Sequence, residues 1–296
     1  MLPARFRSRI HRIAADRESG AIELALAVVE AFEGLSHSRR PPAGKEIEAV
    51  VKFLSSAQPS MVPVRNAAEM CSRIVAGGGE HASGLDFLWD NIEGSRVRAA
   101  VNAQAIFGRR AIVLTLSRSS TVLHALQLAA RAGRIGKLFV MESRPRFEGR
   151  ETARAVTEMG VDCTLVADAM GPSLVKEIDL AVVGADAILS DGGVVNKIGT
   201  YPLALACKEG RKPLCVLAES IKLDRRCSSR TWAGAEERDE FELLPRPPRG
   251  LRALNRYFDL TPSDMVSCVV HDDGVTKRGW AKTMAKILDR LMKDGA

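Results

Sequence analysis

The chain has 296 residues, room for two domains of ordinary size. Its 46% apolar and 27% charged content excludes a disordered tail, a collagen and a disulfide scaffold, and no run approaches the roughly 18 apolar residues of a membrane span. A net charge of +7 suits an anionic ligand or partner, while two tyrosines leave little material for stacking on nucleic-acid bases.

The first twenty residues lack the continuous apolar core of a signal peptide, so a cytoplasmic location is expected. They carry Arg5, Arg7, Arg9, Arg12 and Arg17 with no acid before Asp16, a composition shared with transit peptides. Phe6, Ile10, Ile13 and Ala14, however, fall at helical spacing and predict a folded helix with an arginine face. Further helices are expected over 21–32, 45–55, 64–75 and 84–106. The loop bearing Arg39-Arg40-Pro41-Pro42 and the run Gly77-Gly78-Gly79 punctuate them. At Phe107-Gly108-Arg109-Arg110 the pattern changes, which predicts a helical domain over 1–107 and a second domain over 108–296.

From Ala111 onward short β-branched runs alternate with helical stretches. Strands are predicted at 111–115, 137–141, 161–166, 179–183, 213–217 and 265–270, and helices at 121–132, 149–159, 171–177, 200–209 and 279–292. The predicted fold class is therefore α/β, an all-helical N-terminal domain followed by a Rossmann-like parallel sheet domain. Such sheets bind ligands beyond the carboxyl ends of their strands, so chemistry is sought there.

After the first strand stands Ser117-Arg118-Ser119-Ser120, opening a helix whose free N–H groups suit an anion or are simply capped by a serine. After the second comes Glu142-Ser143-Arg144-Pro145, where Arg144 suits bidentate phosphate contact or a surface ion pair. Asp168, after the third, suits a ligand hydroxyl or a turn cap. After the fourth, Asp186 can serve as a general base or grip hydroxyls. Asp191-Gly192-Gly193 reads as a tight turn, and Asn196 and Lys197 run into the next helix. The segment is neither a Walker A loop nor a dinucleotide fingerprint, which argues against nucleotide hydrolysis and nicotinamide binding.

Six scattered cysteines form no CxxC pair, so no metal site is expected and buried, reduced thiols are.

Gly184 to Thr200, with Tyr201-Pro202-Leu203-Ala204 after it, resembles the hallmark segment of the initiation factor 2B-related family. Glu142-Ser143-Arg144-Pro145 with Gly149-Arg150, Leu217-Ala218-Glu219-Ser220-Ile221-Lys222, Phe258-Asp259-Leu260-Thr261-Pro262 and Gln58-Pro59-Ser60-Met61 are similar to its other motifs. The resemblance covers residues 15–275. That family holds the alpha, beta and delta regulatory subunits of translation initiation factor 2B and two isomerases, acting on methylthioribose 1-phosphate and ribose 1,5-bisphosphate.

The resemblance implies a catalytic aspartate at Asp186 and a catalytic cysteine after the first sheet strand, where Ser117 stands instead. It also implies an Arg-Gly-Ala loop, replaced here by Ser19-Gly20-Ala21. Both departures are shared with the regulatory, noncatalytic side of the family. The ligand or phosphate residues implied are Gly20, Arg118, Ser119, Ser120, Arg144, Asn196, Lys197 and Lys222, with no cofactor and no metal. The expected function is thus an initiation-factor-2B-like protein that binds a sugar phosphate or nucleotide, noncatalytic or weakly catalytic. The alternative is an aldose–ketose isomerase on a phosphorylated ribose, an intramolecular oxidoreductase. A homodimer or higher homo-oligomer is implied, with the long segment 221–249 crossing to its partner and room for a further protein partner. No membrane contact is expected, and nucleic-acid binding through the arginine-rich N-terminus lacks aromatic interleaving.

Overall fold

A computed structural model describes residues 2–16, 19–36, 43–77, 81–234 and 237–294. Arg17, the Arg39-Arg40-Pro41-Pro42 loop and Gly78-Gly79 lie outside the described residues. The chain divides into two compact units, Met1–Ser95 with Ser220–Leu223 and Lys282–Ala296, and Arg96–Glu219 with Asp224–Ala281.

The helical unit is built from α1 (Ala4–Ala15), α2 (Ala21–Ser36), α3 (Gly44–Ala57), α4 (Val62–Ala76) and most of α5 (His81–Asn102). The apolar stripe of α1 is buried as its spacing predicts, through Phe6, Ile10, Ile13 and Ala14. Phe6 meets Phe32 of α2 edge to face, with ring centroids 5.4 Å apart. Gln58, in the motif between α3 and α4, has a physical task. Its buried amide donates to the carbonyls of Ile13 and Asp16 at 3.1 and 2.6 Å, satisfying the open C-terminal end of α1. Asn66 of α4 donates to the carbonyls of Ile221 and Leu223 at 2.7 and 2.9 Å, which ties that short segment into this unit.

In the second unit the strands are β1 (Ala111–Leu116), β2 (Ile135–Met141), β3 (Cys163–Val166), β4 (Leu180–Val183), β5 (Ala187–Leu189), β6 (Val194–Lys197), β7 (Leu214–Leu217), β8 (Leu223–Asp224, of which Leu223 counts with the helical unit), β9 (Phe258–Thr261), β10 (Cys268–His271) and β11 (Gly274–Thr276). The helices are α6 (Ser120–Arg131), α7 (Glu148–Thr157) and α8 (Thr200–Glu209), while α9 (Trp280–Asp294) runs on into the helical unit. Among the described residues one sheet has the order β11-β10-β7-β4-β1-β2-β3, parallel except for β11. Counting its parallel strands along the chain gives the order 3-2-1-4-5-6 of a Rossmann sheet, with the switch point between β1 and β4. Alternate strand residues (Val113, Val140, Val182, Leu217) share one core with Val122, Leu126 and Val156 of the covering helices.

Several features differ from the sequence expectation. Residues 168–177 form a 3₁₀ helix with Pro172 inside it, not an α-helix. Proline supplies no N–H, which favours short, tight turns over a continued α-helix. The strand expected from Met265 begins at Cys268, because Pro262 opens a 3₁₀ turn over Ser263–Met265. A second sheet, β8-β5-β6-β9, has no counterpart in the sequence expectation. Its hairpin β5–β6 is only three and four residues a side, and β6 pairs with β9, some sixty positions later in the chain. Local periodicity carries no trace of such a pairing.

Among the described residues no helix is long and apolar enough to cross a membrane.

Candidate functional site

The carboxyl ends of β1, β2 and β4 come together at the switch point. Ser117 follows β1 with φ +64° and Ser143 follows β2 with φ +65°. A side chain in this left-handed region costs on the order of 1–2 kcal/mol, so the neighbours must hold it there. They do so with buried hydroxyls. The Ser117 N–H donates to Ser143 Oγ at 2.6 Å, and the Ser117 carbonyl accepts from Thr152 Oγ1 of α7 at 2.8 Å. Gly184, after β4, closes the other side. A Cβ on it would lie 2.8 Å from Ser119 Cβ and Oγ and 3.9 Å from Asn196 Oδ1, so only glycine lets the β1 and β4 loops approach this closely.

The sequence-predicted residues take up different positions. Ser119 caps α6, accepting the Val122 N–H at 3.3 Å, and Ser120 is exposed on its first turn. Arg118 is exposed and paired with Glu151 at 3.2 Å, an ion pair of little energetic weight. Asp186 is half-buried beyond β4, its N–H bonded to the Val195 carbonyl at 2.9 Å. Asn196 is buried and donates to Thr200 Oγ1 at 2.9 Å. The exposed Arg144 guanidinium lies 4.8 Å from the centre of the Phe147 ring and donates to the Leu243 carbonyl at 3.3 Å. Gly20 and Lys222 belong to the helical unit. Gly20 donates its N–H to Glu23 Oε2 at 3.1 Å, and Lys222 is buried in the segment that Asn66 holds.

Lys197 is the most constrained of these groups. Its side chain is 5% exposed, its ammonium pairs with Glu148 Oε1 at 2.9 Å and it lies 4.7 Å from the centre of the Tyr257 ring. Tyr257 in turn donates its hydroxyl to Glu242, and burial followed by that bond pushes the phenol up to about 12. The N-terminus of α8, into which Asn196 and Lys197 lead, is met by a protein carboxylate. Asp259 Oδ2 accepts the N–H groups of Gly199 and Tyr201 at 2.8 and 3.1 Å. Burial pushes Asp259 up to about 6 against the pull of those donors, and its Oδ1 has no hydrogen-bond partner among the described residues. Sequence reasoning missed Glu148, Thr152 and Tyr257. No local signal marks them, because each acts on a residue distant in the chain. Asp259 stands within its motif with no role that the sequence assigns.

The tight turn at Asp191 is the tip of the β5–β6 hairpin. Burial raises the Asp191 carboxyl, but donors from Ser229 and Gly193 outweigh it and hold the group below its usual range. Trp280 Nε1 donates to the Gly192 carbonyl at 3.0 Å and fixes the turn from the far side.

A Rossmann sheet with polar strand tips at its switch point defines the class of doubly wound α/β proteins. Within that class, residues 17–278 match the initiation factor 2 subunit family, and the chain belongs to it. A translation initiation factor eIF-2B subunit 2-like protein of Pyrococcus horikoshii is 34% identical over 281 residues, covering 93% of this chain and 97% of that protein. The ribose 1,5-bisphosphate isomerase of Haloterrigena turkmenica is 31% identical, covering 88% and 87%. The match to the ribose 1,5-bisphosphate isomerase of Archaeoglobus fulgidus, 35% identical over 164 residues, spans only 52% of that relative's length. A crystal structure of the Pyrococcus horikoshii translation initiation factor eIF-2B superposes with a TM-score of 0.80 at 28% identity, covering 94% of this chain and 99% of that one. The family thus contains both initiation-factor-like and isomerase relatives of this chain.

Proposed function

We propose that the chain is an initiation-factor-2B-like protein of the regulatory-subunit type. In this reading it binds a sugar phosphate or nucleotide beyond β1, β2 and β4, and is noncatalytic or weakly catalytic. The observation that carries the reading is Ser117. Where the family resemblance puts a thiol acid, this chain has a hydroxyl, a far weaker acid for returning a proton to a sugar oxygen. Arg144, Arg118, Ser119, Ser120, Asn196 and Lys197 form the binding set. Lys197 and Arg144 already have protein partners, so a ligand phosphate must compete with Glu148 and the Leu243 carbonyl for them.

The second reading, an aldose–ketose isomerase, is favoured by Asp186 beyond β4. As a base it would move a proton between C1 and C2 of a phosphorylated ribose through an enediolate. One experiment separates the two. The parent protein is incubated with ribose 1,5-bisphosphate, with turnover followed by product analysis and binding by calorimetry. Binding without turnover is expected. Turnover at ordinary enzymatic rates, abolished by Asp186→Asn, establishes the isomerase instead.

The reading includes self-association through the sheet units. It is supported by exposed Phe241, Leu251 and Leu254 in the long connection between β8 and β9. Light scattering at micromolar concentration is expected to give a dimer or larger, and a monomer would remove this part.

A further inference from the structure

We infer that Asp168 is a positioning residue of the candidate site, acting through Ser143 on the backbone of Ser117. Asp168 follows β3, and both of its carboxylate oxygens are spent on the tip of β2. Oδ1 accepts the Ser143 N–H and Oδ2 the Arg144 N–H, each at 2.7 Å. Two successive N–H groups converging on a carboxylate form an anion nest, and here the anion belongs to the protein. The nest sets the left-handed conformation of Ser143, whose φ is +65°. In that conformation the buried Ser143 hydroxyl donates to the Met141 carbonyl at 3.0 Å, which turns its lone pair toward the Ser117 N–H at 2.6 Å. Ser117 is thereby held left-handed as well, with Thr152 fixing its carbonyl.

Three adjacent strand tips, β3, β2 and β1, are linked in this way by one continuous chain of hydrogen bonds. Its end is the residue that stands in the position of the family acid. The direction of the Ser117 side chain follows from its backbone conformation, and that conformation is imposed from Asp168. The role as a positioning residue rests on the proposed ligand reading, whereas the mechanical link does not.

The test uses the full chain carrying Ser117→Cys. Alkylation of the introduced thiol by iodoacetamide is followed site by site by mass spectrometry across pH, with the half-buried Cys163 and Cys227 as internal references. Asp168→Asn places an N–H₂ against one of the two donors, and Ser143→Ala removes the acceptor for the residue 117 amide. Each is expected to change the alkylation rate of the introduced thiol at least threefold and to displace its pH profile, with Cys163 and Cys227 unaffected. Asp168→Glu, which keeps the carboxylate, is expected to return the rate toward that of Ser117→Cys alone. Unchanged reactivity of that thiol in the variants overturns the link. Should Asp168→Asn fail to fold, Ser143→Ala carries the same test, with the same overturning result. Ribose 1,5-bisphosphate titrated into the Asp168→Asn chain with Ser117 in place is expected to bind about tenfold more weakly than to the parent. Unaltered affinity overturns the positioning role. A parent that binds none of it overturns the ligand reading and with it the positioning role, while the alkylation result still decides the link.

Discussion

Lys197 and Glu148 form a 2.9 Å ion pair in which the lysine side chain is almost wholly buried and the glutamate partly exposed. The pair joins β6 to the first turn of α7, and the Tyr257 ring covers the ammonium. Glu148 Oε2 has no hydrogen-bond partner among the described residues, so the pair is held by a single contact.

Removing one member of a buried pair strands the other charge. Glu148→Gln is therefore expected to lower stability by about 1–3 kcal/mol, below the full cost of a deeply buried pair because Glu148 is partly solvated. Lys197→Met, which removes the buried charge itself, is expected to cost less. Urea unfolding of the two variants checks the order, and a larger loss in Lys197→Met contradicts it. In the proposed reading Glu148→Gln also frees Lys197, so calorimetry should show tighter binding of ribose 1,5-bisphosphate.

Asp259 gives a pH signature. Its folded value of about 6 lies above the ordinary 3.8, so the native state binds its proton first. This group then favours folding at low pH and costs stability as pH rises through about 6, by up to about 3 kcal/mol. Asp259→Asn keeps one oxygen for the Gly199 and Tyr201 N–H groups and removes the buried charge. It is expected to match the parent near pH 4, to be more stable than the parent at pH 7 and to abolish this dependence between pH 4 and 6. Asp259→Ala loses the cap and should cost about 1–2 kcal/mol. Denaturant curves at pH 4.5 and 7 for both variants measure this.

His271 acts with the opposite sign. Burial holds its imidazole below the ordinary 6.5, against the pull of Asp272 and Asp273. Nδ1 accepts the Asp273 N–H at 3.2 Å, which leaves Nε2–H for Thr276 Oγ1 at 2.8 Å, a neutral tautomer. The contribution is full above pH 6.5 and is lost as pH falls toward the folded value. His271→Gln is expected to flatten the stability change between pH 7.5 and 5.5 relative to the parent. An unaltered slope in that variant contradicts the assignment.

Restoring the thiol alone should not restore an enzyme. Ser117→Cys is expected to raise turnover of ribose 1,5-bisphosphate less than tenfold, equivalent to about 1.4 kcal/mol of barrier. The arginine of the resembled Arg-Gly-Ala loop is also missing, and Ser19 in its place is tied to Asp16 through both its N–H and its hydroxyl at 2.9 Å. The double change Ser19→Arg with Ser117→Cys is the fair comparison. A tenfold gain from Ser117→Cys alone in steady-state assays would show that the missing thiol was the main deficit.

Much of the fold is legible from residues 111–217. Continuous apolar strands separated by helical stretches can form little other than a parallel sheet, and its crossover rules place the polar residues at the strand tips. The strand tips bearing Ser117, Arg144 and Asp186 are legible on that ground, and the family motifs are readable as residues. What each polar group does there was decided by the tertiary structure. Asp168 serves the main chain of β2, Asp259 occupies the N-terminal end of α8, and Lys197 faces Glu148. The β5–β6 hairpin found its third strand, β9, across some sixty residues. Sequence by itself determined the apolar stripe of α1 and the continuous apolar strands of the sheet, because helical and strand periods are local properties. The partners of the buried charges were set only by the folded chain, since a carboxylate and an ammonium attract through space and leave no periodic trace along the sequence.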